Sequence, residues 1–218
     1  MRYKAFLPLV TYPDPVSEAT AANAVGMAAR LGSDLHALAV NVTFPPVSNA
    51  LSRFLLDTPQ MIRDGEARSR KAGENLLAAV SEEAGRHKVT FTSAAITAAP
   101  ALLAEAAMLE SRYFDFVLLG WEPDNETCRM TAEALVFGAG RPTVLLPASA
   151  RVRAIEHIAI AWDGSRVAAR ALADAGGLLP KAAQISVLTV VDDKPLPEGA
   201  PGEHLAESLR SRGLSAQA

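Results

Sequence analysis

Two short segments carry the residue types from which a small polar ligand site is built. Asp163-Gly164-Ser165 follows the apolar run Ile158–Trp162 (IAIAW) and offers a carboxylate, a residue free to take positive φ and a hydroxyl. Such a turn joins a strand to a helix, with Asp and Ser as caps. Thr11-Tyr12-Pro13-Asp14 stands in the same place after Lys4–Val10 (KAFLPLV). There Tyr12 has a ring to stack on a base, whereas Pro13, Asp14 and Pro15 describe a stiff, capped turn. Gly120 ends the run Phe114–Leu119 (FDFVLL).

Other polar groups point to no chemistry. Asp192-Asp193 follows Ile185–Val191 (ISVLTVV), but a metal-dependent phospho-acceptor needs its acidic pair after the first strand and a Lys after the fifth. Val10-Thr11 holds no such pair and no Lys follows Leu146, so Asp192-Asp193 reads as a solvated loop. Cys128 stands at the start of a predicted helix, where its thiol pKa would fall. No histidine is near it in sequence; His36, His87, His157 and His204 are scattered, and His36, inside an apolar strand, reads as a satisfied core residue. There is no Ser-His-Asp spacing signal, no H-x-x-x-H metal pair and no G-x-G-x-x-G, so neither a catalytic residue nor a metal ligand is assigned.

The composition bounds the rest. The chain has 218 residues, half of them hydrophobic, and 21 basic against 24 acidic side chains give a formal charge of −3. That is a globular balance. Without a Lys/Arg-rich block, nucleic acid is not the expected partner. One cysteine excludes an internal disulfide and a Cys-rich metal site. No apolar run approaches the roughly 20 residues a membrane helix needs. The run Phe6–Val10 is too short for a signal-peptide core. The expectation is a cytoplasmic protein with no membrane partner.

These residues must be positioned by the elements between them. Apolar runs at Lys4–Val10, Leu35–Val42, Val89–Ile96, Phe114–Leu119 and Thr143–Leu146 alternate with segments of helical period. The first helix follows an N-cap at Ser17 and closes at Gly32. The longest spans Met61–Arg86, with Ile62, Ala67, Ala72, Leu76, Leu77, Val80 and Ala84 inward and Gly85 as its stop. Pro100–Arg112 and Cys128–Gly138 supply two more. Phe44–Gln60 reads as a loop made apolar by Phe44, Leu51, Phe54, Leu55 and Leu56, in which Leu51, Phe54 and Leu55, at i, i+3 and i+4, suggest a short amphipathic helix that serves a dimer surface or lid, or folds over its own domain. Continuous apolar strands alternating with helices predict an α/β fold with a doubly wound parallel sheet covered on both faces. Ligands of such sheets sit at the carboxyl ends of the strands, where strand order reverses.

From His157 the pattern restarts. IAIAW, the alanine-rich helix Val167–Leu179, ISVLTVV and a helix over Gly202–Arg212 repeat the opening plan at an offset of about 150 residues. Residues 1-149 are expected to form a complete domain and 150-218 the β-α-β-α start of a second. A half-copy leaves strand edges and one sheet face open. Truncation of a longer protein is the favoured explanation; completion by a partner chain, or packing of the remainder on the first domain, are the others.

The repeat resembles the universal stress protein family in its tandem two-domain form, with a truncated second domain. The resemblance rests on Ile158-Ala-Ile-Ala-Trp-Asp-Gly-Ser165 with ISVLTVV, on Phe114-Asp-Phe-Val-Leu-Leu-Gly120, and on Thr131-Ala-Glu-Ala-Leu135 leading to Arg141-Pro-Thr-Val-Leu-Leu-Pro147. It implies five parallel strands in the order 3-2-1-4-5 and a homodimer, or a dimer-like pairing of tandem domains, through the fifth strands. It also implies a stress-response module that is not an enzyme. Nucleotide-binding members carry G-x2-G-x9-G-[ST] after the fourth strand. Here Gly120 matches the first glycine, but Pro123 stands at the second and has no N–H to donate. Arg129-Met130 falls where Gly-[ST] belongs, in a loop about four residues short. Glu122, Asp124 and Glu126 place carboxylates where a triphosphate would sit, with Arg129 able to offset one. The first copy is therefore expected not to hold ATP. What the resemblance leaves as nucleotide-binding positions is Asp163, Gly164 and Val190 in the second copy and Thr11 and Gly120 in the first. ATP or AMP would require an intact second domain; no cofactor is otherwise implied. The alternatives are a nucleotide-hydrolysing or nucleotide-transferring enzyme of the same adenine-binding class, and a pure dimerisation scaffold.

Overall fold

The apolar run KAFLPLV forms the central strand β1, Lys4–Val10, because both of its faces have a helical layer to bury against. The computed structural model describes residues 2–45, 58–149, 154–191 and 199–218. It divides the chain into two compact units, Met1–Val152 and Arg153–Ala218.

In the first unit β1 is followed by α1 (Glu18–Leu31), β2 (Asp34–Val42), α2 (Thr58–His87), β3 (Phe91–Ala98), a 3-10 turn, α3 (Leu103–Ser111), β4 (Phe116–Trp121), α4 (Glu126–Gly138) and β5 (Thr143–Pro147). The strands form one sheet in the order β3-β2-β1-β4-β5, and every pairing is parallel. This is the α/β doubly wound topology the strand–helix alternation predicts. Alternate residues of β1 divide between two cores. Ala5, Leu7 and Leu9 pack with Ala21, Val25 and Ala28 of α1 and Leu76, Val80 and Ala84 of α2. Phe6 and Val10 pack with Leu103 and Ala107 of α3 and Ala132 and Leu135 of α4. Strand order reverses between β1 and β4, so the ligand crevice of such a sheet belongs at their carboxyl ends.

Local chemistry sets the helix ends. Ser17 caps α1 by accepting from the Thr20 N–H, and Gly32 closes it at φ 68°. Three expectations are corrected here. α2 begins at Thr58 and passes through Gly85 to His87, because Lys88 takes the left-handed stop position at φ 55°. Ala67 is exposed; the buried stripe of α2 begins instead with Gly65, Ser69 and Gly73, since small residues let the helix sit close to β2. β3 is a largely exposed edge strand, not one covered on both faces. The segment holding Leu51, Phe54, Leu55 and Leu56 lies outside the described residues, as does Asp192-Asp193.

In the second unit β6 (His157–Ala161), α5 (Arg166–Asp174), β7 (Gln184–Leu188), α6 (Pro201–Ser211) and β8 (Ala216–Gln217) form a parallel sheet in the order β6-β7-β8. The two-residue β8 extends the β-α-β-α expectation by a short strand; its sequence, AQ, is too brief for a period-2 signal. The predicted helix Val167–Leu179 is α5 followed by two 3-10 turns, with Gly176 and Gly177 between. The core is Leu179, Ile185, Val187, Leu205 and Leu209 on one side of the sheet.

Candidate functional site

At the carboxyl ends of β1, β2 and β4 several polar side chains bond to one another. On the β1–β2 side, Thr11 directly follows β1 and is 2% exposed. Its Oγ1 lies 2.6 Å from Ser69 Oγ, 3.0 Å from Asn41 Oδ1 and 3.1 Å from the Val40 carbonyl oxygen. Ser69 Oγ accepts the Val42 N–H at 2.8 Å. Each hydroxyl has one proton, so Ser69 donates to Thr11 and Thr11 donates to Asn41 or Val40. Gly73 makes room for this network, because a Cβ there would meet Asn41 Oδ1 at 2.6 Å. Tyr12 packs edge-on against Phe44, with ring centroids 5.4 Å apart, so its ring is committed within the unit. Glu66, one turn before Ser69 on α2, accepts from the Phe44 N–H and the Thr43 hydroxyl.

On the β1–β4 side the bare Cα of Gly120 faces Thr20 of α1; a Cβ would come 2.5 Å from Thr20 Cγ2. The glycine thus makes room for helix packing. Its carbonyl accepts from Cys128 Sγ at 3.0 Å. Glu122 reaches across to the first turn of α1: Oε1 accepts the Ser17 N–H at 2.9 Å and the Thr20 hydroxyl at 2.7 Å. Burial raises its pKa, but hydrogen bonds from Thr20, Ser17 and Asn125 outweigh that and hold it below the ordinary glutamate value. Asn125 caps α4 by accepting the Cys128 N–H and donates to the Asp14 carbonyl at 3.0 Å. Asp14 is therefore tied down through its backbone N–H and carbonyl.

Arg129 pairs with Glu126 and Glu133 on the exposed side of α4. Cys128 is in the first turn of that helix, yet burial pushes its thiol pKa up, so the expected thiolate character is absent. His36 has its ring 6.3 Å from Phe6 and 5.2 Å from Phe114, with Nδ1 2.8 Å from Thr92 Oγ1. Partial burial lowers its pKa, but the side chain is half-buried at the margin of the core and not inside it, a correction to the core-histidine reading. Three features therefore stand where a phosphate cradle was sought: the glycine is covered, Pro123 lacks a donor, and a carboxylate occupies the first turn of α1.

The second unit is built differently at the same place. Trp162 N–H donates to the Leu188 carbonyl, so Asp163 and Thr189 emerge together at the carboxyl ends of β6 and β7. Gly164 takes φ 72°. Asp163 Oδ1 accepts the Ser165 N–H at 2.9 Å, and Ser165 caps α5 through the Ala168 N–H. The turn is thus a structural cap, one carboxylate of which stands at the sheet end. β7 ends at Leu188, and Val190 is 72% exposed. Beside Val190, Thr189 Oγ1 is buried without a hydrogen-bond partner among the described residues. Gly202, in the first turn of α6, cradles it: a Cβ there would come 2.9 Å from that oxygen. Thr189 and Gly202 were not legible as site residues, since an orphaned hydroxyl has no sequence signature. No group of three or more His, Cys, Asp or Glu side chains among the described residues could hold a metal ion. No described helix is long and apolar enough to cross a membrane.

No protein-family model matches the sequence, and no curated protein matches it. Among solved structures the chain is similar to a universal stress protein from Archaeoglobus fulgidus, at 14% identity and a TM-score of 0.67, over 97% of this chain and 74% of that one. It is also similar to a protein of the universal stress protein family from Burkholderia pseudomallei, at 18% identity and a TM-score of 0.43, over 65% of this chain and 95% of that one. An Arabidopsis thaliana universal stress protein family protein with AMP bound matches at 14% identity and a TM-score of 0.40, over 66% of this chain and 91% of that one. The Archaeoglobus likeness, together with the 3-2-1-4-5 sheet, shows that the chain has the universal stress protein fold.

Proposed function

We propose that this chain is a universal-stress-type regulatory module that acts by binding rather than by catalysis, as a cytoplasmic homodimer. Its first unit is a structural copy, and any adenine nucleotide, ATP or AMP, belongs to the second. The observation that carries this reading is the contrast between the two sheet ends. In the first unit Thr20 covers Gly120, and Glu122 is bonded to Ser17 and Thr20. In the second, the buried hydroxyl of Thr189, just past the end of β7 and beside the exposed Val190, has no hydrogen-bond partner among the described residues. An unsatisfied buried polar atom costs free energy that a ligand hydrogen bond recovers. Asp163, Gly164, Thr189 and Val190 would hold the nucleoside side of such a ligand. The described residues of this unit offer no phosphate cradle.

Calorimetric titration of the full chain with ATP and AMP, and a phosphate-release assay with Mg²⁺, test the reading. Binding that is lost in Asp163→Ala and Thr189→Val, without turnover, is expected. Turnover abolished by Asp163→Ala would make the chain a nucleotide hydrolase. Absence of both binding and turnover would leave a scaffold, whose self-association sedimentation would report.

A further inference from the structure

We propose that Glu122 is a resident anion: its carboxylate takes the place of a bound oxyanion at the first turn of α1 and so latches the β4–α4 loop over Cys128. The contacts span the length of the first unit. Glu122 holds Ser17 and Thr20, 105 and 102 residues away, and Asn125 in the same loop holds the Asp14 carbonyl, 111 residues away. Helix N-termini favour negative charge because their first N–H groups are unsatisfied within the helix. Ser17 and Thr20 supply one backbone and one hydroxyl donor to it. The thiol of Cys128 is 2% exposed and donates to the Gly120 carbonyl. Gly120 and Glu122 belong to one short stretch of chain, so the position of that carbonyl against the sulfur depends on where the Glu122 side chain is anchored. This inference does not depend on whether the second unit takes a nucleotide.

Cys128 is the sole cysteine of the chain, so the rate of its reaction with a small maleimide reports the latch without ambiguity. The native chain should react slowly. Glu122→Ala should react at least tenfold faster, equivalent to about 1.4 kcal/mol of lost protection. Glu122→Gln, which keeps the acceptor oxygen and loses the charge, should fall between. Thr20→Val removes a donor on the α1 side, keeps the methyl that covers Gly120 and leaves every loop residue native; it should also accelerate labelling, which keeps the test valid if Glu122→Ala folds poorly. Ser69→Ala weakens the same unit away from the loop and separates local opening from general loosening; it should leave the rate near native. The resident-anion claim is read by rescue: acetate added to Glu122→Ala should slow the reaction again, while leaving the native rate unchanged. Equal rates in native protein, Glu122→Ala and Thr20→Val would overturn the latch. Acceleration matched by Ser69→Ala would overturn it too, and a Glu122→Ala rate insensitive to acetate would overturn the anion role.

Discussion

Gly120→Ala isolates a contact that decides how α1 meets the sheet. The added methyl would lie 2.5 Å from Thr20 Cγ2 and 3.4 Å from the Thr20 carbonyl oxygen. Thr20 cannot simply rotate away, because its hydroxyl is held by Glu122 at 2.7 Å and Ser17 at 2.8 Å. Overpacking of this kind costs about 1–3 kcal/mol. Restricting the unfolded chain by replacing glycine returns about 0.4–1 kcal/mol, so a net loss of about 1–2 kcal/mol is expected. Thr20→Ser removes the offending methyl and keeps the hydroxyl; alone it should cost about 1 kcal/mol for one buried methyl group. In the double variant the new methyl occupies the vacated space, and the loss should be no greater than that of Thr20→Ser alone. The cycle should thus show a favourable coupling of about 1–2 kcal/mol. Denaturant unfolding followed by Trp121 fluorescence in a Trp162→Phe background reads the first unit, since the chain's two tryptophans fall one in each unit. Additive losses, or a Gly120→Ala variant as stable as the native chain, would refute the packing role assigned to Gly120.

Three further outcomes follow from the same unit. Ser69→Ala strands the Val42 N–H and the Thr11 hydroxyl in a buried site and should cost about 1–3 kcal/mol in denaturant unfolding. His36 is harder to protonate folded than unfolded. Stability should therefore fall as pH drops from about 6.5 through the lowered folded value, and unfolding midpoints of His36→Leu should lose part of that dependence. Glu122 has the opposite chemistry and the same direction. Its folded carboxyl is held below the ordinary value of 4.5, so its contribution is complete above that pH and is lost as pH falls through the folded value. Acid unfolding of Glu122→Gln, compared with the native chain, should show a shallower decline in that window.

Much of the architecture was legible because it rests on patterns that span many residues. The five apolar runs and the capped helices between them fix a parallel sheet, and Ser17 and Gly32 mark α1 by their local chemistry. Asp163-Gly164-Ser165 was legible as a strand-to-helix turn for the same reason. The contents of the crevice were less so. Pro123 and the short loop show that a phosphate cradle is missing, but not what replaces it. Glu122 finds Ser17 and Thr20 only once β4 and α1 are adjacent, and a reading that scores apolar period passes over the polar, small stripe Glu66, Ser69 and Gly73. The spacing of Gly65, Ser69 and Gly73, four residues apart, was the available signal of a close helix–strand approach. Gly85 was misread as a helix stop because glycine costs little more inside an exposed helix than a poor cap would, and Lys88 accepts the left-handed turn instead.

The most direct measurement is photolabelling of the full chain with 8-azido-ATP, competed by ATP and mapped by peptide mass spectrometry. Competed label should be absent from peptides of residues 2–149, where Thr20 covers Gly120 and Glu122 takes the oxyanion's place, and any that forms should lie in residues 154–218. Competed label on a peptide carrying Thr11–Asp14 or Gly120–Arg129 would contradict the account.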